Sequence, residues 1–378
     1  MKILHIIPNL KKGGAERIVI DIIRNLRKQE GIQLKLVLFE EKIEYDVADL
    51  ISLIEIVPSK VQLSMTKKHH LHISDLQQAI DAFQPDVIHS HLFEAEIVSR
   101  SCFYPQACWF THAHDRMQSL KILHLSEIKS KRDLTNYFEK RYLLKRYRKN
   151  GGNQFIAISG DIHNFLNAVL PKNLLEIHLL QNAIDVRHFE KPTNFPSTND
   201  IPLCRLISIG RLDQNKNHQF LIDVVFDLKN KNIPVHLTLI GEGDQRMLLH
   251  EKIERLHLTN EVALVGLQEN VQEFLWNADV YVHSALTEGF GLTLLEAMAA
   301  GLPVITLDGG GNKILIKNGE NGFIIPKQEV TLFSNLVLEL VQDRSTYELF
   351  SKNATAFAKQ FDIGKYTERL MNMYKTTR

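Results

Sequence analysis

The chain alternates short unbroken apolar runs with longer stretches in which apolar residues recur every three or four positions. Lys2–Ile7, KILHII, is a run of strand length; after a turn holding Gly13 and Gly14, Ile18, Ile22, Ile23 and Leu26 mark one face of a helix over 15–27. Further runs predict strands at 33–39, 86–91, 107–115, 154–159, 205–210 and 262–266, with helices after Ser74 and after Lys216. Such alternation predicts an α/β fold of doubly wound, Rossmann-like type, in which ligands gather at the carboxyl ends of the strands. The stretch 281–301, YVHSALTEGFGLTLLEAMAAG, carries the most detail. It predicts a short strand ending near Ser284, a glycine loop, a helix of strong formers over 294–300, then Gly301 as a left-handed cap and Pro303 as a stop.

At 378 residues the chain fits two domains better than one. Pro, Asn, Ser and Thr concentrate at 190–202, a linker that divides a first domain over 1–190 from a second over 200–362. Charged residues make up 24% and the formal net charge is +1, so the totals give no reason to expect a nucleic-acid partner. Cys102, Cys108 and Cys204 form neither a metal-like spacing nor an even disulfide set, which points to a reduced, cytoplasmic compartment. The opening MKILHIIPNL is too short an apolar run for a signal peptide, and no apolar stretch approaches the roughly 20 residues that span a bilayer. The protein is expected to be soluble or peripheral.

A helix that starts just beyond Gly289 and Gly291 offers unpaired N–H groups to an anion, which suits phosphate. Glu288 and Glu296 flank that start. Carboxylates repel phosphate and accept from hydroxyls, so a ligand with both diphosphate and hydroxyls, a nucleotide sugar, fits; dipole compensation and plain solvation would place the same residues there. Arg211 and Lys216, on the turn GRLDQNKN, have the charge to neutralise a diphosphate or to stand as solvated loop cations. LTLIGEGDQRM at 237–247 has Gly-x-Gly after a strand but Arg246 where a third glycine belongs, so it lacks the dinucleotide fingerprint.

The strands at 86–91 and 107–115 each carry a His-x-His pair at their carboxyl ends. Residues two apart share a face, so His89, His91, His112 and His114 converge at one sheet edge. Three readings fit them: a zinc site, although no Cys or suitably spaced carboxylate completes it; polar caps on strand ends; or cleft residues that hydrogen-bond a sugar or phosphate and titrate near neutrality. The stretch 129–149, KSKRDLTNYFEKRYLLKRYRK, which opens on Lys129 and closes on Lys149, sets cations around Leu134, Phe138, Tyr142, Leu143 and Tyr147. As a helix it fits attachment to an anionic bilayer surface, or a solvated helix whose aromatics pack on the domain.

The segment 288–305, EGFGLTLLEAMAAGLPVI, with its Glu pair, glycines and Gly-x-Pro exit, resembles the signature of the retaining glycosyltransferases of family 4, the "glycosyl transferases group 1". The resemblance implies the GT-B fold, two Rossmann-like domains facing each other across a cleft, with the acceptor on the first and a nucleotide-sugar donor on the second. It implies that Glu288 contacts the donor sugar and Glu296 the ribose, with Gly289, Phe290, Gly291 and Leu292 around the donor. Arg211 and Lys216 would hold the diphosphate, the backbone at Gly266 and Leu267 the base, and Gly13 and Gly14 would lie near the diphosphate. The family's first-domain histidine stands in a Thr-x-His-Asp turn, which His112-Ala113-His114-Asp115 resembles with His114 as the histidine and His112 in place of Thr.

LLQNAIDVRHF at 179–189 is similar to the segment that closes the family's first domain, with Ala183 replacing a Gly. TLDGGGNKILIKNGENGFII at 306–325 resembles a loop that approaches the donor sugar, with Ile314 where many relatives carry an acid. The last helix, about 363–378, is expected to pack back on the first domain. The implied activity is retaining, metal-independent transfer of a hexosyl or N-acetylhexosaminyl group, by family habit from a UDP-sugar, to a glycan or lipid-linked acceptor in bacterial surface polysaccharide synthesis, with no cofactor. Lipid-linked acceptors would place the protein at the inner face of the cytoplasmic membrane. A nucleotide-sugar 2-epimerase and a non-catalytic nucleotide-sugar-binding partner share the architecture.

Overall fold

A computed structural model describes residues 1–64, 68–121, 124–195 and 203–377. The chain divides into two compact units, one of Met1–Ala183 with Ile363–Arg378 and one of Ile184–Asp362.

Unit 1 is built on β1 (Lys2–Ile7), β2 (Gln33–Leu38), β3 (Ile54–Ile56), β6 (Val87–His91), β7 (Cys108–Ala113), β8 (Asn153–Ala157) and β9 (Glu176–Leu179), with β4 (Lys60–Gln62) and β5 (His70–His72) forming a separate antiparallel hairpin. The main sheet runs β3-β2-β1-β6-β7-β8-β9 and is parallel throughout. From β1 the chain winds outward to β3, then returns to lay β6 on the other flank, so the order reverses between β1 and β6. The strands read as nearly continuous apolar runs because helices cover both faces of a parallel sheet. On one face the helices Gly14–Leu26 and Ile363–Thr376 pack together, bringing Ile18, Ile22, Leu26, Tyr366, Leu370 and Tyr374 onto Ile3, Val87, Phe110 and Ile156. The carboxyl halves of β1, β6 and β7 present histidines to this buried face, where the apolar pattern would call for Leu or Val.

Unit 2 repeats the plan with β10 (Cys204–Ile209), β11 (Val235–Ile240), β12 (Val262–Gly266), β13 (Val280–His283), β14 (Val304–Leu307) and β15 (Gly322–Ile325). Its sheet runs β12-β11-β10-β13-β14-β15, again parallel, with the reversal between β10 and β13. The Gly-x-Gly after β11 has a packing cause. A Cβ on Gly241 would collide with the carbonyl of Gly210, and one on Gly243 with that of Leu212. Leu212 N–H donates to Glu242 O at 2.9 Å and Gln245 N–H to Leu212 O at 2.8 Å, so the glycines serve contact between adjacent strand exits.

The division after Ala183 puts the short helix Val186–Phe189 in unit 2, whereas the sequence reading places it at the end of a first domain. Residues 190–195 of the expected linker also pack on unit 2. Lys191 Nζ donates to Trp276 O at 2.7 Å, Trp276 Nε1 donates to Phe189 O at 2.8 Å, and the Phe195 ring meets Trp276 edge-on at 5.4 Å. The remainder of that linker, 196–202, lies outside the described residues.

Candidate active site

In unit 2 the two strands beside the switch point feed two loops that are stitched together. The turn after β10 carries Arg211 and Lys216, and the loop after β13 carries Glu288 to Gly291. Ser284 Oγ donates to the carbonyls of Lys216 and Asn217 at 2.8 and 3.0 Å, and Asn215 exchanges hydrogen bonds with Thr287 at 2.9 and 3.0 Å. Glu288 is pinned from the far side as well. Its N–H donates to Gly309 O at 2.7 Å and its carbonyl accepts from Gly311 N–H at 3.0 Å, an approach so close that a Cβ on Gly311 would strike the Glu288 carbonyl. The glycine run 309–311 is therefore a buttress for Glu288.

The side chains converge on one oxygen. Lys216 Nζ lies 2.6 Å and His283 Nε2 3.2 Å from Glu288 Oε2. Burial alone would raise the Glu288 carboxyl, but the His283 hydrogen bond and the Lys216 charge hold it down to about 2. His283 is itself lowered, because burial outweighs its bond to Glu288. The group is thus a carboxylate at neutral pH, an acceptor rather than a proton donor. Arg211 differs from Lys216: its side chain is 75% exposed and reaches Asp213 at 3.1 Å. The sequence leaves both open as cations for a diphosphate or as solvated loop residues, whereas in the fold the Lys216 charge is engaged by Glu288.

The helix beyond this loop is Leu292–Ala299, beginning two residues before the expected start. Gly291 precedes it at φ 92°, a left-handed geometry that a side chain would strain, and Gly301 follows at φ 83°, the cap position expected. Phe290 is buried, Gly289 is exposed, Leu292 is partly exposed, and Glu296 is half-buried on the helix. Gly266 closes β12 at φ 74°, where its carbonyl accepts from Gly241 N–H at 2.9 Å; the adjoining Leu267 side chain is exposed. Ile314 lies in the short helix Asn312–Leu315.

Unit 1 presents a different chemistry at its switch point. Gly13 caps the helix Gly14–Leu26, and the Tyr45 hydroxyl donates to its carbonyl at 2.9 Å. On the sheet itself, His89, His91, His112 and His114 do converge, with ring centroids 4.3 Å apart for His89 and His91 and 4.1 Å for His112 and His114. His5 of β1, in lateral register with His89, completes the group at 5.1 Å from His89 and 5.3 Å from His91. The sequence reading missed His5 because KILHII reads as plain buried strand; its register against a strand more than eighty residues away is the missing signal. His283 was missed for the same reason, as one polar residue ending a four-residue strand.

Two hydrogen bonds chain three of these rings: His5 Nδ1 to His91 Nε2 at 3.0 Å and His91 Nδ1 to His114 Nε2 at 3.2 Å. His89 Nδ1 lies 2.6 Å from the Tyr374 hydroxyl. Four buried nitrogens, His5 Nε2, His89 Nε2, His112 Nδ1 and His114 Nδ1, have no hydrogen-bond partner among the described residues, each an unmet cost of about 1–3 kcal/mol. Burial pushes His5 and His114 down to about 3, and burial followed by the neighbouring imidazoles lowers His89, His91 and His112 well below the usual range. These histidines are neutral at pH 7, which corrects the expectation that they titrate near neutrality.

The helix over the basic stretch is Lys131–Asn150, capped by Ser130, whose Oγ accepts from Asp133 N–H at 3.1 Å. Tyr142, Leu143 and Tyr147 are buried in unit 1, while Lys131, Arg132, Arg141, Lys145, Arg148 and Lys149 are exposed beside a half-exposed Phe138. Among the described residues no helix is long and apolar enough to cross a membrane.

Two parallel-sheet units, one ending in a carboxylate locked between a lysine and a histidine over a glycine-capped helix, define an α/β enzyme of GT-B type. The model of the Glycosyltransferase Family 4 domain matches residues 12–188 and that of Glycosyl transferases group 1 matches 200–357, so the chain belongs to this glycosyltransferase family. Bacillus subtilis EpsF is 25% identical over 337 residues, 83% of this chain and 80% of its own length. The Escherichia coli UDP-Gal:alpha-D-GlcNAc-diphosphoundecaprenol alpha-1,3-galactosyltransferase is 26% identical over 56% of this chain and 58% of its own length. Matches to two other curated relatives span 44% and 27% of those proteins. Among solved structures, Anabaena HepE in complex with UDP superposes with a TM-score of 0.77 over the whole of both chains at 22% identity, which shows the fold.

Proposed function

We propose that the protein transfers a sugar from a UDP-sugar to a lipid-linked glycan acceptor in bacterial surface polysaccharide synthesis, with retention of anomeric configuration and without a divalent metal on the diphosphate. The observation that carries this reading is the Glu288 carboxylate, kept ionised by Lys216 and His283 at the switch point of unit 2. An ionised carboxylate accepts from sugar hydroxyls, while Arg211, Lys216 and the helix start beyond Gly291 supply positive potential to the leaving diphosphate. Glu296 then takes the ribose, and the backbone at Gly266 and Leu267 the base. Neither Glu288 nor the neutral His114 needs to act as a base, because the departing phosphate oxygen takes the acceptor proton. HepE in its UDP complex and the diphosphoundecaprenol-linked acceptor of the E. coli relative support the choice of donor and acceptor class. The exposed cations of Lys131–Asn150 would hold the protein on anionic lipid at the inner face of the membrane.

A thermal-shift panel of UDP-, GDP- and ADP-sugars tests the donor. A UDP-sugar at 100 times its dissociation constant adds about 2.7 kcal/mol and should give the largest rise. No shift with any UDP-sugar would count against the reading.

A further inference from the structure

The histidine cluster of unit 1 exceeds what contact with a single sugar hydroxyl requires. His5, His89 and His91 are each fully buried, and one ring nitrogen from each lies within 4.8 Å of the others. Neutral imidazoles carry one N–H and one lone pair apiece, so rings packed this closely cannot all satisfy one another. The nitrogens left without a partner among the described residues include Nε2 of His89 and Nδ1 of His112. Meanwhile the outer nitrogens are held as those of metal ligands are: His89 Nδ1 by the Tyr374 hydroxyl at 2.6 Å and His91 Nδ1 by His114 at 3.2 Å. His5 Nδ1 and His91 Nε2 lie 3.0 Å apart, inside the roughly 3.3–3.4 Å edge of a tetrahedron with about 2.0–2.1 Å metal–nitrogen bonds, so a small parting of these two rings would admit the ion.

We propose that His5, His89 and His91 form a site for a divalent transition-metal ion of zinc type, seated between β1 and β6 beneath the helix Ile363–Thr376. Three neutral imidazoles on two adjacent strands form a nitrogen donor set that favours zinc, cobalt or copper over magnesium or calcium. His112, with Nδ1 unpartnered and its ring 5.3 Å from that of His89, stands by as a fourth ligand. Tyr374 is a positioning residue: by holding His89 Nδ1 it turns Nε2 toward the ion, and it ties the last helix of the chain to the strands. The ion would brace this corner of unit 1 and is distinct from any metal on the donor diphosphate.

The test uses the full chain, stripped with a chelator, dialysed and titrated with Zn2+ by calorimetry and with Co2+ by visible absorption. The site should take one equivalent per chain, show the d–d bands of tetrahedral cobalt, and raise Tm by roughly 5–10 °C at 100 times the dissociation constant. His5→Gln and His89→Gln should each weaken binding at least tenfold, and Tyr374→Phe should weaken it by about 10–100-fold, the range seen when the partner of a ligating histidine is removed. His114→Ala should retain the stoichiometry, as should the variant replacing the exposed His69, His70 and His72 with Ala. No stoichiometric binding, or binding lost with His69, His70 and His72 but kept in His5→Gln, overturns the proposal. So does binding lost in His114→Ala and kept in His5→Gln, which would put the ion on His91, His112 and His114. Because binding and Tm are the readouts, failure here leaves the transferase reading untouched.

Discussion

The two sheets end in opposite chemistries although they share one topology. In unit 2 the strands beside the switch point deliver a paired carboxylate and cations, so that end is charged, with Lys216 set against Glu288 and Arg211 against Asp213. In unit 1 the matching strands deliver imidazoles that burial keeps neutral, so that cluster is uncharged and short of hydrogen-bond partners among the described residues. The doubly wound frame dictates where chemistry gathers and leaves its kind to a few strand-end residues. A charged end suits a ligand whose charge grows during reaction; a neutral, donor-starved end suits a ligand that brings its own positive charge or hydroxyls.

The largest expected effect comes from removing charge from unit 2. Lys216→Ala and Arg211→Ala should each lower kcat by about 10²–10³-fold, since leaving-group charge develops where these cations act. If both serve one diphosphate, the double variant loses less than the product of the singles. The pair also separates structure from chemistry. Arg211 is exposed, so its variant should keep its Tm, whereas Lys216→Ala leaves Glu288 buried without its cation and lowers Tm. Near-normal rates in both singles would remove the cations from the reaction.

Next in size is the response to acid, which should divide the units. A histidine whose folded pKa lies below its unfolded value near 6.5 leaves stability intact above that pH. As pH falls toward the folded value, the unfolded state takes up a proton that the folded state refuses, at about 1.4 kcal/mol per pH unit for each ring. Unit 1 has five such rings, with His5 and His114 reaching about 3; unit 2 has His218, at about 4, and His283 among the described residues. Glu288 acts in a lower window, its stabilisation being full above about 4.5 and lost as pH falls through about 2. Each unit holds one tryptophan, Trp109 in unit 1 and Trp276 in unit 2. Fluorescence of Trp276→Phe and Trp109→Phe variants in chelator should therefore show unit 1 unfolding at the higher pH. Coincident midpoints, or unit 2 going first, would break the contrast.

The smallest expected effect is at the membrane. Flotation with anionic vesicles at low ionic strength should recover the protein, and salt should release it, since each exposed cation contributes about 1 kcal/mol near such a surface. Protein that stays at the bottom of the gradient would make Lys131–Asn150 an ordinary solvated helix; its buried Tyr142, Leu143 and Tyr147 show that much of its apolar side is already used inside unit 1.

The frame was legible in the sequence because unbroken apolar runs of five or six residues and 3.6-residue periodicity are local signals, and so were Glu288, Gly291 and Gly301, which share one short stretch with its helix. The three-residue strand β3, the hairpin β4–β5 and the four-residue β9 were not, since a run that short carries no period to read. Within the site, Lys216 and Glu288 were singled out separately, but their 2.6 Å contact spans 72 residues of sequence. His5 and His283 stayed hidden because each is one polar residue inside an apolar strand, and only register shows what it faces. The 190–195 stretch misled by composition: its Pro, Thr and Asn resemble a linker, yet Lys191 and Phe195 are held by Trp276.

The measurement that tests the central claim most directly is the anomeric configuration of the product. A UDP-α-sugar chosen from the thermal-shift panel would be incubated with a short polyprenyl-diphosphate-linked acceptor in EDTA, with and without excess Mg2+ or Mn2+, and the new linkage read by the anomeric proton coupling in NMR. Transfer by front-side displacement, with Arg211 and Lys216 rather than a metal on the diphosphate, predicts an α-linked product and a rate that Mg2+ or Mn2+ does not raise. A β-linked product, or activity lost in EDTA and restored by Mg2+ or Mn2+, would contradict it.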